Sequence, residues 1–158
     1  MGRTAVAVGN TGSAFVNAIN ANFLQLYRGY VKNAEDYGFL TTASATVNTA
    51  ALNAILLGGS CTVFIKAGTY ELNDTILIYS NTTILCEQGV IFKKVAEFVP
   101  VLLNAAALNG AGATKDENII IEGLEIDCNN QGSGTPTIWG ARSSISMLNV
   151  KRVILRNY

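Results

Sequence analysis

Apolar residues near the N-terminus recur with the period of a helix. The recurring side chains are Val16, Ile19, Phe23, Leu26 and Tyr30, at spacings of three, four, three and four residues. This spacing is typical of a coiled-coil seam, and Thr11 or Ser13 can cap the helix at its N-terminus. Because a helix this short is marginal in isolation, we expect the seam to pack either on its own domain or against sister chains on a three-fold axis or a docking protein.

A second helix is predicted from Asn48 to Leu57. Asn48 is a suitable N-cap, three apolar residues fall on one face, and Gly58-Gly59 ends the run. Stacked strands need a cover over their first turn, because an open end exposes core side chains and unpaired backbone groups. We therefore predict that this helix caps the strands that follow it.

The chain from Cys61 onward reads as short strands separated by Gly, Asn or Asp corners. The predicted strands are 61–65, 75–78, 82–86, 90–92, 99–103, 118–121, 124–126, 144–148 and 152–155. Stacking turn upon turn would give each short strand partners above and below, as in a β-solenoid. A weak repeat that begins at Thr82, Asn118 and Arg152, with spacings of 36 and 34 residues, supports this interpretation. The loops 104–115 and 129–142 carry the extra length and are candidates for contact with a partner.

The composition favours one folded domain. Of 158 residues, 49% are hydrophobic and 14% charged, which argues against disorder. The 11 acidic and 11 basic residues balance, so no net charge draws the chain to nucleic acid or to an anionic membrane. The N-terminal apolar run is too short for a signal peptide, and no segment approaches the roughly 20 apolar residues that span a bilayer. We expect a protein made in the cytoplasm that binds no nucleic acid and does not insert into a membrane.

The absence of histidine from the sequence removes the commonest general base. It also removes His-dependent triads and metal sites. Cys61, Cys86 and Cys128 include no close pair, and we predict three free thiols buried as small apolar side chains. We expect neither a cofactor nor a metal.

Two acidic residues form the one candidate catalytic pair. Strand alternation turns Glu125 and Asp127 outward and Leu124, Ile126 and Cys128 inward. The two carboxylates would then stand roughly 7 Å apart, from twice the rise per residue, which is within the range for an inverting glycosidase. The alternative is that they are ordinary solvated charges, which also discourage edge pairing.

Other candidate residues carry weaker signals. Trp139 could stack on a sugar ring, or it could pack locally in its loop. Asp36, which precedes Gly38 in a turn, fits a backbone cap better than a catalytic acid. The basic pairs Lys93-Lys94 and Lys151-Arg152 lack the aromatic residues expected of a nucleic-acid site.

The order of features from Asp36 to Gly89 resembles the start of the pectate-lyase-like right-handed parallel β-helix of phage tailspikes and some polysaccharide-degrading enzymes. The matching features are the Asp-x-Gly turn, the short helix, the Gly-Gly pair and the strands that follow. The segment 17–27, with its Asn-Ala-Asn-Phe, resembles one near the N-termini of phage tail fibres and tailspikes. Residues 126–132 resemble an early coil of polygalacturonase-like β-helices, in which the catalytic Asp cluster lies further along the chain and is not identifiable here.

The resemblance implies a mainly β fold: a single-stranded right-handed parallel β-helix, preceded by an N-terminal helix and a capping helix. Residues 1–33 would form an arm and helix for virion attachment or trimer contact. Residues 34–158 would form the capping helix and first coils, which we expect to continue beyond the given chain. The resemblance implies a homotrimeric structural component of a phage tail, assembled in the host cytoplasm, that contacts other tail proteins and presents later coils to a host surface polysaccharide.

Two alternatives to this function stay open. The full-length protein could be a polysaccharide lyase or glycoside hydrolase whose catalytic coils lie beyond residue 158. It could also be a tail or baseplate adaptor that binds no glycan.

Overall fold

The computed structural model describes residues 31–96, 100–109, 114–129 and 144–157. The predicted N-terminal helix with its seam, Val16, Ile19, Phe23, Leu26 and Tyr30, lies outside these residues, and so does Trp139. The chain from Lys32 onward forms one compact unit.

The described residues are mainly β, with parallel sheets and one α-helix. The strands are β1 (Val31–Asn33), β2 (Cys61–Ile65), β3 (Gly68–Leu72), β4 (Ile76–Ile78), β5 (Thr82–Lys94), β6 (Leu102–Asn104), β7 (Asp116–Asp127), β8 (Ile145–Ser146) and β9 (Val150–Arg156). The α-helix, α1, spans Ala45–Leu56, and two 3₁₀ helices span Ala34–Tyr37 and Ala105–Asn109.

The strands stack in the same order on successive passes of the chain. The larger sheet has the order β1-β2-β5-β7-β9, and β3 pairs with the second half of β5. The smaller sheet has the order β4-β6-β8. Pairing is parallel from β2 through β9, so each pass places its strands directly on those of the pass before. Each short strand therefore gains hydrogen-bonding partners from the strands of the neighbouring passes.

Rows of apolar side chains form the core between the sheets. Val63, Ile84 and Ile121 follow one another in register and are almost fully buried. Beside β3 and β5, the ring of Phe39 stacks on that of Tyr70, with 4.4 Å between the centroids. The same ring packs edge-on against Phe92, with 5.6 Å between the centroids. Phe39 precedes α1, so this aromatic cluster links the capping segment to the strands it covers.

Glycines allow the two long strands to bend. The register of β5 shifts between Leu85 and Val90, and Gly89 there has φ +91°. Gly123 bends β7 with φ +78°, and a Cβ at this position would lie 2.5 Å from the carbonyl oxygen of Cys86. Only glycine fits so close to the neighbouring backbone.

Several predicted boundaries differ from the structure. β5 and β7 are each one bent strand where two strands were predicted, and β3 was not among the predicted strands. The repeat was misaligned by one residue, because Thr83 pairs with Ile120, 37 positions later, and not 36. The physical reason is that the inward Ile84 must meet the inward Ile121, and a one-residue slip would turn one of them outward.

Candidate functional site: the helix-capped end of the strands

The helix α1 begins at a different residue from the one predicted. Its N-cap is Ser44, whose Oγ accepts a hydrogen bond from the backbone N–H of Val47 at 3.4 Å. The predicted N-cap, Asn48, lies inside the first turn and is fully buried. Both residues are competent caps by type, and burial of Asn48 in a tertiary contact decided between them.

The Asn48 amide joins the helix to the segments on either side of it. Its Oδ1 accepts a hydrogen bond from the backbone N–H of Leu40 at 3.0 Å. Its Nδ2 donates to the carbonyl oxygens of Glu71 at 3.3 Å and Ala43 at 3.5 Å. A buried amide stabilises a fold when its donors and acceptor are satisfied in this way.

Two further polar side chains of α1 bind the backbone of the first strands. Asn53 Nδ2 donates to the carbonyl oxygen of Thr75 at 3.0 Å, and Asn53 Oδ1 accepts from the N–H of Leu77 at 2.8 Å. Thr49 Oγ1 accepts from the N–H of Asn73 at 3.1 Å. The backbone groups bound in this way extend from the residue after β3 to the middle of β4.

The side chains of α1 thus take the place of a neighbouring strand. An uncovered edge strand presents unpaired N–H and C=O groups that invite pairing with other chains. Here Asn48, Thr49 and Asn53 satisfy such groups, while Leu52, Ile55 and Leu56 bury the core beneath them. The predicted capping role of this helix is therefore supported by its contacts, although the polar residues that perform it were not predicted.

A ladder of polar side chains marks one corner of the stack. Asn81 directly precedes β5, and Asn118 and Arg152 are the third residues of β7 and β9; their φ angles are 57°, 57° and 66°. Asn118 Nδ2 donates to Asn81 Oδ1 at 2.8 Å, and the Arg152 guanidinium donates to Asn118 Oδ1 at 2.6 Å. Asparagine tolerates left-handed backbone better than most residues, and the recurrence of Asn two residues before the paired segments 83–85 and 120–122 was the available sequence signal.

The buried carboxylate of Asp116, at the start of β7, binds groups from several passes of the chain. Asp116 is 7% exposed, and its oxygens accept hydrogen bonds from Ser80 Oγ at 3.0 Å, Asn104 Nδ2 at 3.0 Å and the N–H of Ala106 at 2.6 Å. Asn104 Oδ1 also accepts from the N–H of Leu148 at 2.7 Å. The network holds the loops of three passes together. Neither Asp116 nor Asn104 was singled out from the sequence.

Both candidate catalytic carboxylates lie on the outer side of β7, as alternation predicted. Glu125 and Asp127 are exposed. Asp127 Oδ1 accepts from the backbone N–H of Asn129 at 2.7 Å, which makes a local turn. Asp127 is also in register with Lys93, whose Nζ lies 3.8 Å from Glu71 Oε1. The catalytic role of the pair stays a prediction.

The environments of the titratable groups shift several pKa values. Burial raises the pKa of the Cys86 thiol to about 12 and, mainly by desolvation, raises that of Tyr70. The hydrogen bond between Glu35 and Lys66 lowers the pKa of Glu35 and raises that of Lys66. Both groups lie at the surface, so we attribute little stability to this pair.

The three cysteines are free thiols, but they are less buried than predicted. Cys61 and Cys86 are half-buried, and Cys128 is exposed, with its Sγ 3.2 Å from Ser144 Oγ. Alternation fails at Cys128 because β7 ends at Asp127. The described ranges contain no cluster of three or more His, Cys, Asp or Glu residues that could hold a metal ion. Within the same ranges, no helix has the length and apolar character needed to cross a membrane.

Comparison with known proteins gives one informative structural likeness. No family model matches the chain, and no curated protein matches its sequence. The fold is similar to the solved structure of ORF18 of Geobacillus virus E2, with a TM-score of 0.56, 15% identity and coverage of 95% of this chain. The chain spans 29% of the length of that protein. At this identity the likeness bears on the fold.

Proposed function

We propose that the chain is the N-terminal attachment part of a phage tailspike or receptor-binding tail protein, a structural virion component that presents a β-helix for recognition of host-surface glycans. The observation that carries the proposal is the parallel stack closed at its first turn by α1. The likeness to ORF18, a protein of a bacterial virus, extends over 95% of the chain and supports the same context.

The stack is proposed to be a right-handed parallel β-helix of the pectin-lyase-like type. Its support is the return of the chain to the same sheet on successive passes, with Val63, Ile84, Ile121 and Leu155 in register. Connections between parallel strands of one sheet are right-handed in about 98% of cases. Further coils would follow β9 in the full-length protein, in keeping with the greater length of ORF18.

The N-terminal seam is proposed to attach the chain to the tail and to join three copies. Its support is the 3-4 spacing from Val16 to Tyr30, which is typical of contacts between helices. A trimer would then present three β-helices in the same direction, as a receptor-binding tail protein requires.

Immunogold labelling of purified tailed particles tests the virion role. Antibodies are raised against the intact chain, and particles from the source that encodes it are imaged by electron microscopy. We expect gold at the tail end, with pre-immune serum as the control. If the protein is found only in the soluble lysate and never on particles, the proposal is wrong.

Glycan recognition is tested separately with the full-length protein. Binding to purified surface polysaccharide of the host is measured by isothermal calorimetry, and the polysaccharide is then examined for shortened chains. Binding without cleavage supports recognition. Cleavage that is lost in a Glu125→Gln, Asp127→Asn double variant would favour an enzyme and would place the catalytic pair within this chain.

A further inference from the structure

The capping helix α1 is apolar on two opposite sides. Its buried side carries Leu52, Ile55 and Leu56. The opposite side carries a second apolar row, which we call the outer face of α1: Val47, Ala50, Ala54 and Leu57, the last just beyond the end of the helix. All four side chains are exposed, Val47 to 51% and Leu57 to 68%.

The polar residues in the middle of α1 bind other parts of the fold. Asn48, Thr49 and Asn53 all contact backbone groups of neighbouring segments, as described above. A helix at a protein surface normally turns charged or polar residues outward, whereas apolar residues on opposite sides are typical of a helix that is covered on both. The outer face of α1 therefore has the character of a surface on which a further element packs.

The spacing within the outer face indicates the kind of element that fits it. Its four residues are three, four and three positions apart in the sequence. This is the spacing of a coiled-coil seam, in which apolar side chains of one helix fit between those of another. Ala50 and Ala54, at the centre, are small, and the distance between two packed helices depends on the side chains at their contact. The face therefore fits a second helix that approaches closely.

The absence of charge around α1 narrows the kind of helix further. The sequence has no charged residue from Tyr37 to Ile65, although 14% of the whole chain is charged. Lys32 reaches the end of α1, where its Nζ already donates to the carbonyl oxygen of Ile55 at 2.9 Å. A charge on a partner would lose its hydration against the outer face without gaining an opposite charge. The side of the partner helix that makes the contact should therefore be uncharged.

We propose that the outer face of α1 is a docking surface for an amphipathic helix of another protein, which presents an uncharged apolar seam of the same 3-4 spacing. Docking of this kind does not depend on the virion role, because the spacing, the exposure and the lack of charge are properties of α1 and its surroundings. In a phage tail, a neighbouring tail protein would supply the helix.

The size of the surface fits one helix better than a globular partner. Leu40, whose backbone N–H binds Asn48 beside the first turn, adds a further exposed leucine. Together with the outer face it exposes roughly 400 Å² of apolar side chain, within the range of patches that are often functional. A stable interface between two globular proteins buries about 800 Å² per partner. α1 is about 18 Å long, so a partner helix of roughly three turns covers it.

Fluorescence anisotropy with synthetic peptides tests the docking surface on the intact chain. The probe is a labelled three-heptad peptide with leucine at the seam positions, glutamine beside the seam and lysine only on its far side. A peptide of the same composition in scrambled order, which has no seam, is the control. We expect the seam peptide to bind, and the scrambled peptide to bind at least tenfold more weakly.

The variant of the chain is Ala54→Glu, with Thr114→Glu as its matched control. Both positions are exposed and both changes add the same charge, but Thr114 lies just before β7, on a later pass than the strands that α1 covers. Ala54→Glu should weaken binding of the seam peptide at least tenfold, because the carboxylate would lose its hydration in the contact. It should unfold in urea like the unchanged chain, since glutamate is a good helix former at an exposed position.

The possible results separate the docking surface from its rivals. If the seam peptide binds no better than the scrambled one, or binds Ala54→Glu as tightly as the unchanged chain, the outer face of α1 is not a docking surface for a helix. Sedimentation of the chain without peptide covers a further occupant: self-association that Ala54→Glu abolishes and Thr114→Glu does not would assign the face to a second copy and overturn the proposal. None of these results changes the outcome of immunogold labelling, which tests the virion role by itself.

Discussion

Removal of the Asn48 amide should measure how much the capping helix contributes to the stability of the stack. Asn48 is fully buried, and its replacement by alanine leaves the N–H of Leu40 and the carbonyl oxygen of Glu71 without their partner. An unpaired buried backbone group costs about 1 to 3 kcal/mol. Leu40 and Glu71 are exposed residues, so we take about 1 kcal/mol for each group.

Two smaller contributions complete the expected value for Asn48→Ala. The cavity left by the amide adds about 1 kcal/mol, and the better helix propensity of alanine returns about 0.5 kcal/mol. The free energy of unfolding should therefore fall by about 2.5 kcal/mol, measured by urea denaturation with an unchanged dependence on denaturant.

Thr46→Ala is the control for Asn48→Ala. Thr46 lies two residues before Asn48 on α1, is exposed, and accepts one hydrogen bond from Asn73 Nδ2 at 2.9 Å. Its replacement should cost less than about 0.5 kcal/mol, as surface substitutions usually do. Equal small losses in the two variants would show that the amide contacts of Asn48 do not hold the cap in place.

Three further predictions concern the strands and corners. Gly123→Ala should lower the free energy of unfolding by about 3 kcal/mol, and Gly58→Ala by about 1 kcal/mol. Both glycines have positive φ, but only at Gly123 would an added Cβ clash with a backbone oxygen. Equal losses in urea denaturation would refute a contribution from that clash. Asp116→Asn should cost about 2 to 3 kcal/mol, because an amide nitrogen replaces one acceptor oxygen of a buried network; a loss below about 0.5 kcal/mol would contradict this. At pH 8, the exposed Cys128 should react with maleimide well before Cys86. Burial raises the pKa of Cys86 to about 12, so little of its reactive thiolate is present at pH 8. Equal rates for the two cysteines in the native state would contradict this prediction.

Sequence patterns predicted the elements better than their boundaries. The strand 61–65 was predicted at its observed limits, and a short helix was expected before it, because apolar periodicity and Gly-Gly are local signals. The start of α1 was predicted wrongly, since Ser44 and Asn48 are equivalent as isolated residues and differ only in what the folded chain places around them.

The polar contacts that hold the stack together were beyond sequence reasoning. Asn53 reaches backbone groups more than 20 residues away, and Asp116 gathers donors from Ser80 and Asn104. Such pairings join positions distant in sequence, so no local pattern announces them. The column of Asn81 and Asn118 is the exception, because the same residue type recurs two residues before the paired segments 83–85 and 120–122.

The stretch from Asp36 to Gly89 by itself determined that short strands follow a capping helix. The spacing of apolar residues and the Gly, Asn and Asp residues between strands depend on neighbouring residues alone. Tertiary structure decided the register of β5 on β7, in which Ile84 pairs with Ile121, because only one alignment buries both side chains. It also decided which side chains cover the first strands, because Asn48 and Asn53 meet the backbone groups of Glu71 and Thr75 only once α1 lies on those strands.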